Sequence, residues 1–174
     1  MGGEQRNFLI RSSLILLLSP SANRNNLGSL KEKLHITPLI ETVEVNIRFS
    51  ETDPMGIVWH GNYLKYLEDG REAFGAKYGI GYMDIYKQGF AAPLVEIDIK
   101  YKKALRYGES ILIETRYVHD DAAKIIFAYK VINAKNPDEI IATANSIQVF
   151  LDLKGELILT NPQFYQEWKK KFAV

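Results

Sequence analysis

Residues 53–63 read DPMGIVWHGNY, and this stretch joins a strand-like segment to the start of a helix. Pro54 fixes its own φ and Gly56 tolerates a positive φ, so the backbone can turn sharply directly after Asp53. The apolar residues 57–59 would anchor the far side of that turn in a core. The stretch therefore predicts a carboxylate aimed at unpaired N–H groups in the first turn of a helix, and such groups attract a developing oxyanion.

A strand is predicted before this stretch and a helix after it. Apolar and polar residues alternate over 41–49, which is typical of a half-buried strand, with Phe49 on the apolar face. The helix is predicted over 62–78, because one apolar stripe recurs at spacings of three and four residues. Gly70 lies in that stripe and would let the helix approach a neighbouring sheet closely. Residues 79–81 (Gly-Ile-Gly) end the helix.

Beyond the helix the hydrophobic period becomes two. Strands are predicted over 95–101, 111–117 and 125–131. A turn follows over 133–138, then a long strand over 140–151, a hairpin turn over 152–155, a short strand over 157–159, and a terminal helix that starts at Asn161-Pro162. One helix inserted after the first strand and followed by antiparallel strands predicts an α+β fold.

The spaced pattern Asp53-x-x-Gly56-x-Val58-x-His60-x-x-Tyr63 resembles the signature of the 4-hydroxybenzoyl-CoA thioesterase-like hotdog family. This family includes the acyl-CoA thioesterases associated with the Tol-Pal system. Three further positions of the pattern are present in the helix: Tyr66, Glu68 and Arg71. The resemblance covers about residues 43–165. It implies the hotdog fold, a curled antiparallel sheet of five to six strands around one long central helix.

The resemblance also implies a function, the hydrolysis of an acyl-CoA thioester to a free acid and CoA. Members of the family build their sites between subunits, so a homodimer or homotetramer is expected. Phe49 departs from the pattern, because the Tol-Pal-associated enzymes tend to carry a tyrosine four residues before the aspartate. Any contribution of that hydroxyl is lost here.

Three residues are expected to be catalytic by this resemblance. Asp53 either attacks the thioester carbonyl to form an acyl-enzyme anhydride or activates a water molecule as general base. The residues alone equally allow Asp53 to be an Asx-turn or helix-capping aspartate. The backbone N–H of His60 would polarise the carbonyl, and its imidazole could orient groups or transfer a proton. Tyr63 shapes the acyl pocket, hydrogen-bonds the loop that holds Asp53, or is an aromatic residue of the core stripe.

Further residues are expected to bind the substrate. Asn62 either caps the helix or holds Asp53. The basic residues near the end of one strand would meet the CoA phosphates, or they are solvated lysines on a strand face. The complete set expected to bind substrate is Gly56, Val58, Trp59, Gly61, Asn62, Lys100, Lys102 and Arg106.

Composition excludes several classes of protein. The 174 residues include 22 basic and 21 acidic side chains, so the net charge of +1 gives no argument for nucleic-acid or membrane binding. The chain has no cysteine, which excludes disulfides, thiolate metal sites and a cysteine nucleophile. No Gly-x-Ser-x-Gly motif or histidine-rich metal motif is present. The expected reaction therefore uses no metal and no redox cofactor.

The amino terminus is expected to be an extension to the domain. Residues 1–37 are predicted to be a disordered or non-native extension, and residues 38–174 to form the hotdog domain. The apolar run at 14–18 imitates a secretory signal but is short for one, and it is far too short to span a bilayer. We therefore expect a cytoplasmic protein without stable membrane insertion.

Two other functions remain open at the level of sequence. The chain could be a non-catalytic hotdog protein that binds acyl-CoA or acts as a scaffold. A hotdog dehydratase is the other alternative, although the chain lacks the histidine and carboxylate motif of such enzymes. The length of the acyl chain, and whether CoA or acyl carrier protein bears it, cannot be read from the residues.

Overall fold

The computed structural model describes residues 38–174, and the predictions for residues 1–37 lie outside this part. The main sheet has five antiparallel strands: β1 Ile40–Asn46, β3 Leu94–Tyr101, β4 Ser110–Val118, β5 Lys124–Asn133 and β6 Asn136–Val149. Their order across the sheet is β1-β4-β5-β6-β3. Two short strands, β2 Phe90–Ala91 and β7 Leu151–Asp152, pair separately. The predicted α+β class and hotdog arrangement are confirmed.

The long helix, α1 Tyr63–Tyr78, lies against β1 and β4. Its buried stripe is the predicted one, and Gly70 is where helix and sheet approach most closely. A Cβ at Gly70 would lie 2.5 Å from Thr115 Oγ1 and 2.6 Å from Ile113 Cγ2. Gly79 ends the helix in the left-handed region, with φ of 72° and its N–H bonded to the Gly75 carbonyl. Glycine thus sets both the approach of this helix and its end.

The first strand ends earlier than predicted. Its ladder with β4 runs from Ile40 opposite Arg116 to Asn46 opposite Ser110. The chain then enters a 3₁₀ turn, Phe49–Glu51, in which the Glu51 carboxylate accepts the Arg48 N–H. The prediction that Phe49 belongs to the buried strand face is therefore wrong. Its side chain is 75% exposed and packs edge-on against the Tyr107 ring.

Three further differences from prediction lie after α1. The turn expected over 133–138 is shorter, and β6 already begins at Asn136. The short strand expected over 157–159 is absent, since Leu157 forms only an isolated bridge to Leu151. A short helix, α2 Tyr82–Lys87, follows α1 and was not predicted. Its six residues are too few for a helical hydrophobic period to show.

The terminal helix, α3 Gln163–Phe172, begins directly after Pro162, as predicted. Tyr165 and Trp168 stack on each other and are buried beside β4, where the Tyr117 hydroxyl meets that of Tyr165 at 2.8 Å. None of the helices in residues 38–174 is both long and apolar enough to cross a membrane.

Candidate active site

Residues 52–58 form a tight loop closed by backbone pairing. Thr52 bridges to Val58, and the Asp53 N–H donates to the Ile57 carbonyl at 2.8 Å. The Gly56 N–H returns to the Asp53 carbonyl at 2.9 Å, and Gly56 has a φ of 72°. The sharp turn that the sequence predicts after Asp53 is therefore present, and the glycine is required by its positive φ.

The Asp53 carboxylate is held inside this loop by one of its oxygens. Asp53 Oδ1 accepts the Met55 N–H at 2.8 Å and the Ile57 N–H at 3.4 Å. This is an Asx turn, which is one of the two roles that the sequence allowed. Asp53 Oδ2 accepts no hydrogen bond from any residue in 38–174. One oxygen therefore orders the turn while the other faces no donor from the described chain.

The entry to helix α1 follows within two residues of the loop. The Trp59 N–H donates to the Glu51 carbonyl at 2.9 Å, and a 3₁₀ turn, His60–Asn62, leads into the helix. The backbone N–H groups of His60 and Gly61 donate to no acceptor among residues 38–174. Open N–H groups at the positive end of a helix are suited to stabilise an anionic oxygen. The entry thus presents two N–H groups that can hydrogen-bond an anionic oxygen.

Trp59 and His60 cover this entry. Their rings lie 4.9 Å apart, and both side chains are exposed. A Cβ at Gly61 would collide with the Trp59 ring, so a larger residue there would displace this exposed ring. The His60 imidazole forms no hydrogen bond with residues 38–174, while the His60 carbonyl accepts the Tyr101 hydroxyl at 3.1 Å. The backbone of His60 is therefore fixed more firmly than its side chain.

Tyr63 lies at the start of the helix with its ring in the core. Its side chain is buried against the Tyr66 and Tyr101 rings, at centroid distances of 5.9 and 4.9 Å. Burial, reinforced by Tyr101 and Glu109, raises the pKa of Tyr63 to about 12. The phenol therefore stays protonated in the neutral range.

Glu51 organises the site, although the sequence analysis did not single it out. Its Oε2 accepts the Arg48 N–H at 2.8 Å and the Tyr66 hydroxyl at 2.9 Å. Its carbonyl accepts the Trp59 N–H and the Asn62 Nδ2, both at 2.9 Å. Glutamate three residues after Arg48 has the spacing of a capping box, the one local signal that could have indicated it.

Asn62 has a different role from the expected helix cap. It makes no side-chain cap hydrogen bond, and its amide points back to the Glu51 carbonyl. It therefore holds the segment leading into Asp53, two residues upstream of the carboxylate itself. Val58 is buried, and its N–H donates to the Leu105 carbonyl at 2.8 Å.

The three basic residues expected near CoA separate in space. Arg106 bridges to Ile57, and its Nη1 lies 4.0 Å from the position of a Cβ at Gly56, so the structure brings it to the Asp53 loop. Lys100 and Lys102 are exposed at the end of β3, and Lys100 approaches Asp98 at 4.0 Å. Their contacts do not include the loop. Residues 38–174 contain no group of three histidine, aspartate or glutamate side chains that could hold a metal ion.

Known proteins resemble this chain in sequence over more than half of its length. A family model described as the thioesterase-like superfamily matches residues 47–169. A Bacillus subtilis (strain 168) protein named "Putative acyl-CoA thioesterase YneP" is 40% identical over 106 residues, which are 61% of this chain and 77% of that protein.

Solved structures share the fold. The DHNA-CoA thioesterase of Staphylococcus aureus superposes with a TM-score of 0.68 at 25% identity, over 77% of this chain and 89% of that one. The 4-hydroxybenzoyl CoA thioesterase of Pseudomonas sp. strain CBS-3 superposes with a TM-score of 0.63 at 23% identity, over 74% and 98% of the two chains.

Proposed function

The chain belongs to the thioesterase-like superfamily, and from this premise we propose that it hydrolyses an acyl-CoA thioester to a free acid and CoA. The Bacillus subtilis relative named as an acyl-CoA thioesterase and the Staphylococcus aureus DHNA-CoA thioesterase support CoA as the carrier. The observation that carries the assignment of the site is the pairing of two features on one short segment. These are the second Asp53 oxygen and the N–H groups of His60 and Gly61, none of which has a hydrogen-bond partner among residues 38–174.

Asp53 supplies the chemistry in either of two ways. As nucleophile, its carboxylate adds to the thioester carbon, the C–S bond breaks with protonation of the thiolate, and water then hydrolyses the acyl anhydride. As general base, it takes a proton from the water that attacks the same carbon; the C–S bond then breaks, and the thiolate leaves as CoA-SH by taking up a proton. Both routes create an oxyanion, which the His60 and Gly61 N–H groups would stabilise. Neither route needs a metal or a redox cofactor.

The remaining predicted residues act in binding. Arg106 carries a guanidinium beside the Asp53 loop and is exposed, so it is placed to meet a CoA phosphate. Lys100 and Lys102, exposed near the end of β3, would add positive charge farther out. We propose that Tyr63 and Trp59 bound the acyl pocket, since their rings flank the helix entry. A second subunit would complete the site in a homodimer or homotetramer.

The test is release of free CoA from a panel of short, long and aromatic acyl-CoAs. Wild-type protein should turn over at least one of them, and Asp53→Asn should lose turnover while retaining the oligomer. The same acyl groups on acyl carrier protein would show whether CoA is the preferred carrier. Binding of CoA esters without turnover, unaltered by Asp53→Asn, would contradict the proposal and leave a non-catalytic binding protein.

A further inference from the structure

Glu51 joins three segments that are separate in sequence. Through its carboxylate it contacts the Arg48 N–H on the incoming strand side and the Tyr66 hydroxyl in the second turn of α1. Through its carbonyl it contacts the Trp59 N–H and the Asn62 side chain at the helix entry. We name the side chains of Glu51, Asn62 and Tyr66, with this carbonyl, the Glu51 clamp.

The clamp lies between the two halves of the site. Glu51 precedes Asp53 by two residues, while Trp59 and Asn62 flank His60 and Gly61. The loop of residues 52–58 therefore begins and ends at groups that the clamp holds together. A movement of one half relative to the other would have to break these hydrogen bonds.

Two of the three clamp side chains are buried, and the third, Glu51, is half-buried. Asn62 is 6% exposed and Tyr66 is 1% exposed. Burial raises the pKa of Tyr66 above its ordinary value, with the Glu51 hydrogen bond as a second cause, so the phenol remains a donor. The hydrogen bonds from Tyr66 and Asn62 to Glu51 are partly buried, and breaking either would leave a buried side chain without its partner, which is costly.

We propose that Glu51, Asn62 and Tyr66 are positioning residues, which set the separation between the Asp53 carboxylate and the N–H groups of His60 and Gly61. This inference rests on the proposed thioesterase function. A displacement of about 1 Å between reacting groups lowers a catalysed rate by about a hundredfold. Loss of the clamp should therefore lower kcat. KM should change little, because the clamp makes no hydrogen bond to the basic residues proposed to meet CoA (Arg106, Lys100 and Lys102), and the Asn62 amide is bonded to the Glu51 carbonyl.

Glu51 acts here as an acceptor and not as a base. Both the Arg48 N–H and the Tyr66 hydroxyl are accepted by the same oxygen, Oε2. A glutamine in place of Glu51 can present its single carbonyl oxygen at that position and accept both donors. A base at this position would be lost in the glutamine variant. The two roles are thus separable by one substitution.

The experiment compares kcat, KM and the unfolding midpoint of wild type with Tyr66→Phe, Asn62→Ala, Glu51→Ala and Glu51→Gln. The substrate is the acyl-CoA that the wild type hydrolyses fastest. Tyr66→Phe, Asn62→Ala and Glu51→Ala should each lower kcat about tenfold or more, with KM within about threefold. Glu51→Gln should restore most of the kcat that Glu51→Ala loses.

Tyr117→Phe is the matched control. Tyr117 is buried, its hydroxyl bonds to that of Tyr165 at 2.8 Å, and it lies near the end of β4 opposite to the Asp53 loop. It should lower the unfolding midpoint about as much as Tyr66→Phe and leave kcat unchanged. This comparison separates a loss of positioning from a general loss of stability.

The outcomes distinguish the two proposals. If the wild type hydrolyses no acyl-CoA, the proposed function fails, and the inference fails with it. If the wild type is active and Tyr66→Phe keeps its kcat, the inference alone is overturned. Should Asn62→Ala or Glu51→Ala fail to fold, Tyr66→Phe and Glu51→Gln decide the matter. If Glu51→Gln folds but is inactive, the positioning inference is overturned, and the Glu51 carboxylate has a chemical role instead.

Discussion

At Asp53 one side chain combines a structural and a proposed chemical role. Its Oδ1 orders the loop by accepting the Met55 and Ile57 N–H groups, and its other oxygen, which accepts no hydrogen bond from residues 38–174, is the one we propose for the reaction. The two roles use different atoms, so they do not compete. The loop residues predict an Asx turn, which describes Oδ1. The family pattern predicts a catalytic carboxylate, which describes the other oxygen.

Two substitutions at Asp53 should separate these roles. Asn keeps a carbonyl oxygen that can accept the Met55 N–H, so Asp53→Asn should unfold at the same denaturant concentration as the wild type. Because Asn has no carboxylate, kcat should fall at least about a hundredfold. Ala keeps neither, so Asp53→Ala should also lose about 1 kcal/mol of stability for the broken hydrogen bonds. Chemical unfolding and CoA-release assays check both. Equal activity of Asp53→Asn and wild type would remove Asp53 from the mechanism.

Helix α1 is the element that places the site. Its 3₁₀ entry presents the His60 and Gly61 N–H groups, and its buried stripe fixes it against β1 and β4. The close approach at Gly70 sets the distance between helix and sheet. The position of the oxyanion groups thus depends on packing in the second and third turns of the helix.

Gly70→Ala should destabilise the protein, although alanine is the better helix former. The added Cβ would lie 2.5 Å from Thr115 Oγ1 and 2.6 Å from Ile113 Cγ2, both on β4. Overpacking costs about 1–3 kcal/mol and exceeds the gain of about 1 kcal/mol in helix propensity. Urea unfolding should show the loss, and Glu72→Ala, at an exposed position of the same helix, should change little. If Gly70→Ala is more stable than the wild type, β4 must move away from the added Cβ at little cost, which would contradict the prediction.

Over the whole molecule, buried tyrosines couple stability to alkaline pH. Burial raises the pKa of Tyr63 and Tyr129 to about 12. The pKa of each of three other tyrosines is also raised, mainly by burial: Tyr66, Tyr117 and Tyr165. In the unfolded chain these five tyrosines lose their protons near pH 10. In the folded state they keep their protons to a higher pH.

The free energy of unfolding should therefore fall as the pH rises above about 10. The unfolded state binds fewer protons there, and each such tyrosine contributes a slope of about 1.4 kcal/mol per pH unit up to its folded pKa. Burial lowers the pKa of Lys169, so this residue makes the free energy of unfolding rise with pH. Its effect is smaller than the combined effect of the five tyrosines. Urea unfolding between pH 8 and pH 11, followed with tyrosinate absorbance, checks the effect. Stability that stays constant over this range would contradict it.

Association is the other property of the whole molecule that can be tested. Strand β3 is at the edge of the sheet, and it exposes Leu94, Val95 and Tyr101. Tyr101 also bonds to the His60 carbonyl, so this edge adjoins the helix entry. A subunit packed on β3 would therefore reach the site, and the exposed apolar residues favour such packing.

Val95→Lys should weaken the proposed dimer or tetramer. Val95 is 57% exposed, so a lysine there does not disturb the core of one subunit but places a charge in the interface. Light scattering should show a smaller molar mass than for wild type, together with lower activity. Leu159→Lys, at an equally apolar and more exposed position, should keep the wild-type mass. An unchanged mass for Val95→Lys would exclude β3 from the interface.

Several features of the fold depend only on near neighbours in the chain. The turn at Pro54–Gly56, the helix stripe with Gly70, the end at Gly79 and the period of β4 and β5 all follow from short spacings, and all were predicted. Local φ and ψ preferences and hydrophobic periods act within a few residues, so a single chain reveals them.

The partners of the site residues come from distant parts of the chain, which the folded protein brings together. Glu51 meets Asn62 and Tyr66 across 11 and 15 residues, and Tyr101 meets His60 across 41. Arg106 reaches the Asp53 loop while Lys100 and Lys102 do not, and Phe49 turns outward where its period predicted burial. Such contacts depend on how whole elements pack, because a side-chain hydrogen bond has a reach of about 3 Å and no spacing in the chain encodes it.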